Sequence, residues 1–526
     1  MVTTIPFQNI DSIPQIIKDF LDEKFEDFQP YTFSLEHIQS KVKHKQQVFT
    51  KAQRKQLHQV MAKQYQGFDL SNAQQANLDL LLEDHTFTVT TGHQLNLFTG
   101  PVFFIYKILQ TIKTCEYLKK KMPQYQFVPI FWMATEDHDF EEINHFRTEA
   151  NYYELNAKKG GAVGRIKVEN PDFIHVFAQD FKEELYGETL ICWMKEAYRV
   201  ENTLAKAIRI LAQKLFADYG LLLLDGDDKT LKSQMIPLFK EELKSQKLYH
   251  TTAEKVHMLS EQYGKVQVNP REINLFYLSE TRDRIENISE GYHVVDTKIQ
   301  FTENEIIEEL EQHPERFSPN ALLRPVYQET VLPNIAYIGG NAEVAYWLEL
   351  VDYFKSIGLE FPILIPRNSM AFITEKTAQK IEQSGLEIED FFNDYQKKFN
   401  DKLLKEHPLL ELINEKQHLL EQGFDELKVK ASLTEKTFYN LVDAEQTRQL
   451  KSYDKMKKRL LKAERIKHTE QLEYLMRLNE KLSPNKKWQE RQYNFSVFYK
   501  TLGGQWLKTC YDEISVENSM MIVCGI

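Results

Sequence analysis

Five short apolar runs constrain this chain more than any other feature: Phe87 to Thr91, Phe127 to Ala134, Leu221 to Asp225, Ile335 to Ile338 and Phe361 to Ile365. Their length and flanks are those of buried parallel strands, and most end in polar or glycine-bearing turns. Helical patterns fall between them, clearly from Val102 to Lys120 and from Leu204 to Asp218, where apolar residues recur at three- and four-residue steps. Right-handed crossovers joining such units build an α/β fold with a Rossmann-like parallel sheet, which meets its ligands at the carboxyl ends of the strands.

The runs are unevenly spaced. About 85 residues separate the second from the third and over 100 the third from the fourth, far more than one crossover needs. Two insertions follow, at 144–201 and 232–319, placed as subdomains beside the cleft. They divide the core into 1–143, 202–231 and 320–385. From 386 to 482 the composition shifts to Lys, Glu, Leu and Gln, the signature of long helices. Leu409, Ile413, Lys416, Leu420, Phe424 and Leu427 keep helical steps, as do Tyr453, Met456, Leu460 and Ala463, so two helices separated near Ala431 to Thr434 are expected to pair as an antiparallel coiled coil. The second seam resumes one residue out of register at Leu475, Leu478 and Leu482, which implies an irregularity or a change of partner face. The tail, 483–526, is expected to dock back on the core.

With 526 residues, 42% of them apolar, the chain has enough to bury a sizeable core, and a net charge of −11 argues against a dedicated nucleic-acid binder. Four scattered cysteines form neither a CxxC pair nor a disulfide framework, which points to the reducing cytoplasm. The first residues lack the pattern of a signal peptide, and no run approaches the ~18 apolar residues of a membrane helix.

Three constellations carry chemistry. In the first, TGHQLNLFTGP, a strand breaks at Gly92 and a helix reopens after Gly100. Glycines permit close backbone approach, and a helix N-terminus offers N–H groups to an anion, with Pro101 suited to a first helical position. Thr91, His93, Gln94, Asn96 and Thr99 crowd this turn, and Lys107 lies two helical turns on. In the second, FWMATEDHDFEEINH, an apolar run ends in Glu136, Asp137, His138 and Asp139, groups able to ligate a metal, orient an amine or act as a general base. A plainer reading makes Asp139 an N-cap with Glu142 as its partner. In the third, RPVYQETVLPNIAYIGGNAEVAYWLEL, Arg324 and Gln328 precede a strand that leaves through Tyr337, Gly339 and Gly340 into a helix bearing Glu343 and Trp347. Backbone N–H groups suit an anion and Glu343 an amine, a combination that fits an amino-acid substrate, while Tyr346 and Trp347 also read as core aromatics. Arg367 after the last strand and Trp488 with Arg491 in WQER are weaker phosphate or stacking candidates. No Walker A, G-x-G-x-x-G or G-x-S-x-G motif occurs.

Taken in order from Thr91 to Arg491, TGHQ…TGP, the acidic motif, the RPVYQETVLPN…AYIGGNAEVAYW segment, FPILIPRNS and WQER resemble the BshC family, the cysteine ligases of bacillithiol biosynthesis. The chain departs from that pattern at His93, where TGQQ is usual, and at Gly340 to Ala342, where Gly-Pro-Gly is usual. The resemblance implies a core similar to class I nucleotidyltransferases and a homodimer formed through the coiled coil. It also implies ligation of L-cysteine, through its activated carboxylate, to the amine of glucosaminyl malate. ATP with magnesium is the implied energy source, through a cysteinyl adenylate or an acyl phosphate. On this mapping the two glycine turns hold nucleotide and cysteine, the Glu136 to Asp139 cluster binds and deprotonates the amine with His138 as base, and Arg324 or Arg367 neutralises developing charge. No metal site is assigned, since no cysteine cluster supports one. Another carboxylate-activating enzyme of the same core, or a coiled-coil assembly protein that merely binds a nucleotide, remain the competing readings.

Overall fold

The computed structural model of the chain describes residues 1–157, 160–405 and 407–526. Strands β1 (Thr86–His93), β2 (Gln126–Met133), β3 (Leu222–Asp225), β4 (Asn334–Gly339) and β5 (Ile363–Pro366) form one all-parallel sheet in the spatial order β5-β4-β1-β2-β3. All five apolar runs are in it. Both faces are covered, which is why the runs read as continuous rather than alternating. On β2, Val128, Ile130 and Trp132 enter one core, while Phe131 and Met133 enter another. The order of strands reverses beside β1: the chain builds outward through β2 and β3 on one side and through β4 and β5 on the other. Outside the carboxyl ends of β1 and β4 lies the crevice that such a reversal leaves open.

The helix after β1 spans Phe103–Lys121 with Val102 as its N-cap, so Pro101 lies before the cap rather than at the first helical position. The Val102 N–H donates to Tyr493 O at 2.8 Å, and Asn494 Nδ2 donates to Phe98 O and Gly100 O at 2.7 Å each. The start of this helix is thus covered by the chain's own C-terminal segment, and the Val102 N–H is not offered to a ligand.

Between β2 and β3 lie a small ribbon, His145–Arg147 with Tyr152–Glu154, and helices Phe173–Phe181, Gly187–Ala197 and Leu204–Phe216. Between β3 and β4 an antiparallel sheet takes the order Gln300–Phe301, Gly291–Val294, Arg282–Ile288, Leu275–Leu278, Phe317–Pro319. Arg282, the first residue of the middle strand, and Pro319, the last residue of the final one, belong to the wall of the crevice.

Beyond β5 the helices Pro408–Ala431 and Lys436–Lys467 lie side by side with opposite chain direction. Gln446 Nε2 donates to Asp425 at 3.2 Å, Lys457 Nζ to Gln417 at 2.7 Å, and His407 approaches Glu464 at 3.4 Å. Leu409, Leu427 and Met456, expected in the seam, are exposed instead. A two-helix arm standing off the core has only one shared face, and polar cross-links occupy part of it. A third helix, Thr469–Leu482, follows a break at His468, and its Leu475, Leu478 and Leu482 are buried in the main core. The register shift in the sequence marks this change of partner. Finally, Met520–Gly525 pairs antiparallel with Val2–Pro6 and parallel with Ser369–Ile373, joining the two chain ends in one small sheet. No described helix is long and apolar enough to cross a membrane.

Candidate active site

The crevice at the carboxyl ends of β1 and β4 is a cleft of about 410 Å³, walled by residues from every constellation singled out in the sequence. Gly92, His93 and Gln94 come from the end of β1, Glu136 and Asp137 from the loop after β2, Arg324 from helix Leu323–Val331, Tyr337, Gly340 and Glu343 from β4 and the helix after it, and Arg367 and Arg491 from farther along. Segments over 300 residues apart meet here because parallel strands deliver their carboxyl ends to one edge.

Glu343 is the hub of the floor. Its carboxylate accepts from Lys107 Nζ at 2.5 Å, from the Gly340 N–H at 2.8 Å and from Tyr337 Oη at 2.7 Å. Burial opposes its charge, yet Lys107 and these donors outweigh it and bring its pKa down to about 2. Lys107 is itself buried, and also donates to Gly92 O at 2.5 Å, so it ties the first glycine turn to the second. Burial lowers the Lys107 pKa while Glu343 opposes that shift. The pair therefore offsets its own desolvation rather than adding much stability. Trp347 stacks behind Tyr337 at 4.6 Å and is fully buried, a supporting aromatic. A Cβ at Gly92 would stand 3.5 Å from Arg324, Trp132 and Tyr337 atoms, in ordinary contact with all three.

His93 lies beside the Phe103 and Phe104 rings, at 5.2 and 5.7 Å, with Nε2 buried and unpaired. Burial, reinforced by Lys107, pushes its pKa down to about 3, so the ring is neutral. The neighbouring Gln94 bridges to the acidic wall, donating to Asp137 at 2.7 Å and to Glu142 at 2.9 Å. Within that wall the four titratable residues part company. Glu136 and Asp137 line the cleft, whereas His138 and Asp139 do not. Asp139 caps helix Phe140–Ile143 by accepting from the Glu142 N–H at 3.2 Å, as the plainer reading anticipated. His138 Nδ1 accepts from Arg282 Nη1 at 3.0 Å, and burial followed by the Arg282 charge lowers its pKa. Its Nδ1 lone pair is therefore engaged by Arg282.

Arginines also line the cleft. Arg324 Nη1 donates to Gln328 at 3.0 Å, while Nη2 is buried without a partner. Gln328 thus orients Arg324 from behind and does not itself reach the cleft. Arg367 is held by Glu490 through two hydrogen bonds of 2.9 and 2.7 Å and lies over the Phe103 ring at 4.7 Å. Arg491 lies over the same ring at 5.6 Å. Of the remaining candidates, Thr91 donates to Ile338 O at 2.8 Å and joins β1 to β4, Gly339 accepts from the Arg367 N–H at 2.8 Å, and Thr99 with Gly100 forms the left-handed part of a turn packed on Asn494. Trp488 lines a neighbouring cavity of about 710 Å³ rather than this one.

Arg282, Tyr346, Trp132 and Asn320 also line the cleft and were not legible as site residues. Arg282 stands on a strand of the second insertion, stacked 4.0 Å from Phe276, with no local motif around it to signal a role. Among the described residues no group of three or more His, Cys, Asp or Glu side chains is placed to hold a metal. An anionic group fits better, since Arg282, Arg324, Arg367 and Arg491 all line the cleft.

Residues 1–368 match the family described as "Bacillithiol biosynthesis BshC, N-terminal Rossmann-like domain", and residues 370–526 match "Bacillithiol biosynthesis BshC, C-terminal coiled-coil domain". The chain is 41% identical over 505 residues, 95% of each chain, to a Flavobacterium johnsoniae protein named "Putative cysteine ligase BshC". Proteins of the same name from Flavobacterium psychrophilum and Christiangramia forsetii are 40% and 39% identical, covering 97% and 99% of this chain and 97% and 98% of their own. With matches that run through both parts of the molecule and through every motif that walls the cleft, the chain belongs to the BshC family.

Proposed function

We propose that the protein is a cysteine ligase of bacillithiol biosynthesis, joining the activated carboxylate of L-cysteine to the amine of glucosaminyl malate in the cleft at the β1–β4 reversal. The observation that carries this reading is the polarity of the cleft. Arg324 presents a guanidinium to the cleft, with its Nη2 buried, and Glu136 with Asp137 presents carboxylates to the same space. A guanidinium neutralises a carboxylate or phosphate, and carboxylates collect an ammonium and take its proton, so an acid and an amine are drawn into one space. ATP with magnesium supplies the free energy of amide formation. Gly92 and Gly340 allow close approach of backbone, and Arg324, Arg367 and Arg491 are the residues that would meet its phosphates. The neutral His93 and the engaged His138 lone pair favour Glu136 or Asp137 over either histidine as the base for the amine.

The reversal of strand order beside the cleft supports a core of the class I nucleotidyltransferase type, and the exposed Leu412, Leu419, Phe438 and Leu441 on the helical arm support a homodimer formed there. A cytoplasmic setting suits an enzyme whose product is a free thiol. The test is direct. Purified protein is incubated with L-cysteine, glucosaminyl malate and Mg-ATP, and bacillithiol is sought by mass spectrometry. Arg324→Met should lower kcat/KM by about 100-fold or more, as loss of a charge-stabilising donor does, and Asp137→Ala should abolish synthesis with the circular dichroism spectrum unchanged. Absence of product, together with undiminished bacillithiol in a deletion strain, would sink the reading.

A further inference from the structure

Behind the acidic wall lies a lysine that no motif announces. Lys232, in the short helix Lys229–Ser233 after β3, has a fully buried side chain. Its Nζ stands 2.5 Å from Glu136 Oε1, 3.3 Å from Asp227 Oδ1 and 3.1 Å from Glu315 O. Asp227 is in turn gripped by Arg165, whose Nε and Nη2 donate at 2.7 and 2.8 Å. The ammonium is therefore fixed from two sides by a carbonyl and by an aspartate whose charge another cation already meets. Its third contact is the one carboxylate of the network that lines the cleft.

We propose that Lys232 is a positioning residue for the ligation: its buried ammonium pins Oε1 of Glu136 and so holds in place the cleft-lining carboxylate that accepts one proton from the substrate ammonium. The proposal rests on the ligase reading for its reaction, though not for its electrostatics. The geometry of Glu136 supports it, since Oε1 is sealed against Lys232 while 12% of the side chain stays exposed. Burial raises the pKa of Glu136, and Lys232 is the strongest opposing influence, ahead of Arg282, while Asp227 works in the same direction as burial. Arg165 and Tyr327 complete the charged or titratable groups that feel Glu136. Burial outweighs Lys232 even so and leaves the Glu136 pKa raised, and loss of the ammonium would push it higher still. The transfer itself is simple: an ammonium and a carboxylate become a neutral amine and a carboxylic acid, and the amine lone pair is then free to attack the activated carbonyl.

The experiment follows the Glu136 carboxyl by infrared spectroscopy over a pH titration of the full-length protein, its band being identified as the one lost in Glu136→Gln. In Lys232→Met that band should titrate about one pH unit or more higher. The acid limb of kcat/KM for amide formation should move up with it, and Lys232→Arg should restore both. An unchanged Glu136 titration in folded Lys232→Met overturns the proposal. If Lys232→Met does not fold, the paired variant Glu136→Gln with Lys232→Met, which removes both charges, should regain a cooperative melting transition; a pair as unfolded as the single variant overturns it equally. Absence of amide product in the wild-type protein would count against the ligase reading, and the infrared titration would still decide the role of Lys232.

Discussion

At the scale of single residues, the chemistry of the cleft depends on which groups are kept neutral and which are kept charged. His93 is the clearest case. Unfolded, a histidine takes a proton near pH 6.5, whereas in the folded chain this one does not until about pH 3. The unfolded state therefore binds more protons than the native state between those values, and stability falls as pH drops below 6.5. His93→Gln removes that linkage. Its urea-denaturation free energy should lose about 1–2 kcal/mol less than the wild type's between pH 8 and pH 5, and an identical pH dependence in both proteins would contradict the buried, neutral ring. The same substitution restores the glutamine usual in the family, so the cleft is expected to keep its activity. In the sequence His93 reads as a phosphate or substrate contact of the glycine turn and His138 as the base for the amine. What separates them from Glu136 and Asp137 is burial beside Lys107 in one case and a hydrogen bond from Arg282 in the other, both contributed by distant segments.

At the scale of elements, amphipathic patterning was read correctly wherever a helix or strand had one continuous environment. The helix Leu204–Phe216 shows it as a three- and four-residue period from burial on one face, and the five strands show it as continuous apolar runs from burial on both faces. The helical arm is different. Its two helices pair with each other, but their apolar stripe is wider than that contact, and Leu412, Leu419, Phe438 and Leu441 are left exposed. Such a stripe on an arm away from the core is suited to cover by a second copy. Leu419→Glu combined with Leu441→Glu should convert a dimer to a monomer in sedimentation velocity, with helicity retained because both positions are exposed in the single chain. A wild-type protein that sediments as a monomer at micromolar concentration would remove the basis for this expectation.

At the scale of the whole molecule, the cleft is completed by a segment from the far end of the chain. Gln489 accepts from the Phe372 N–H at 2.7 Å and donates to Phe372 O at 2.9 Å, while Glu490 grips Arg367 with both oxygens. This latch brings Arg491 over Phe103 at the cleft wall. Glu490 is fully buried and Arg367 nearly so, so Glu490→Gln leaves an uncompensated cation in the interior. A loss of about 3–5 kcal/mol is expected in chemical denaturation, and a loss below 1 kcal/mol would mean that Arg367 finds water or another partner. WQER in the sequence suggested stacking and a charge for a ligand, yet its Glu490 has a structural task and its Trp488 faces another cavity. By itself the sequence determined the α/β class, the five strands, the two long helices and the three motifs that wall the cleft, because each depends on patterns confined to a few neighbouring residues. Only the tertiary structure decided that β4 lies against β1, that Lys107 belongs to Glu343 and Lys232 to Glu136, and that Arg282 engages His138. Those outcomes depend on which distant charges are desolvated together, and no local window of sequence contains both members of such a pair.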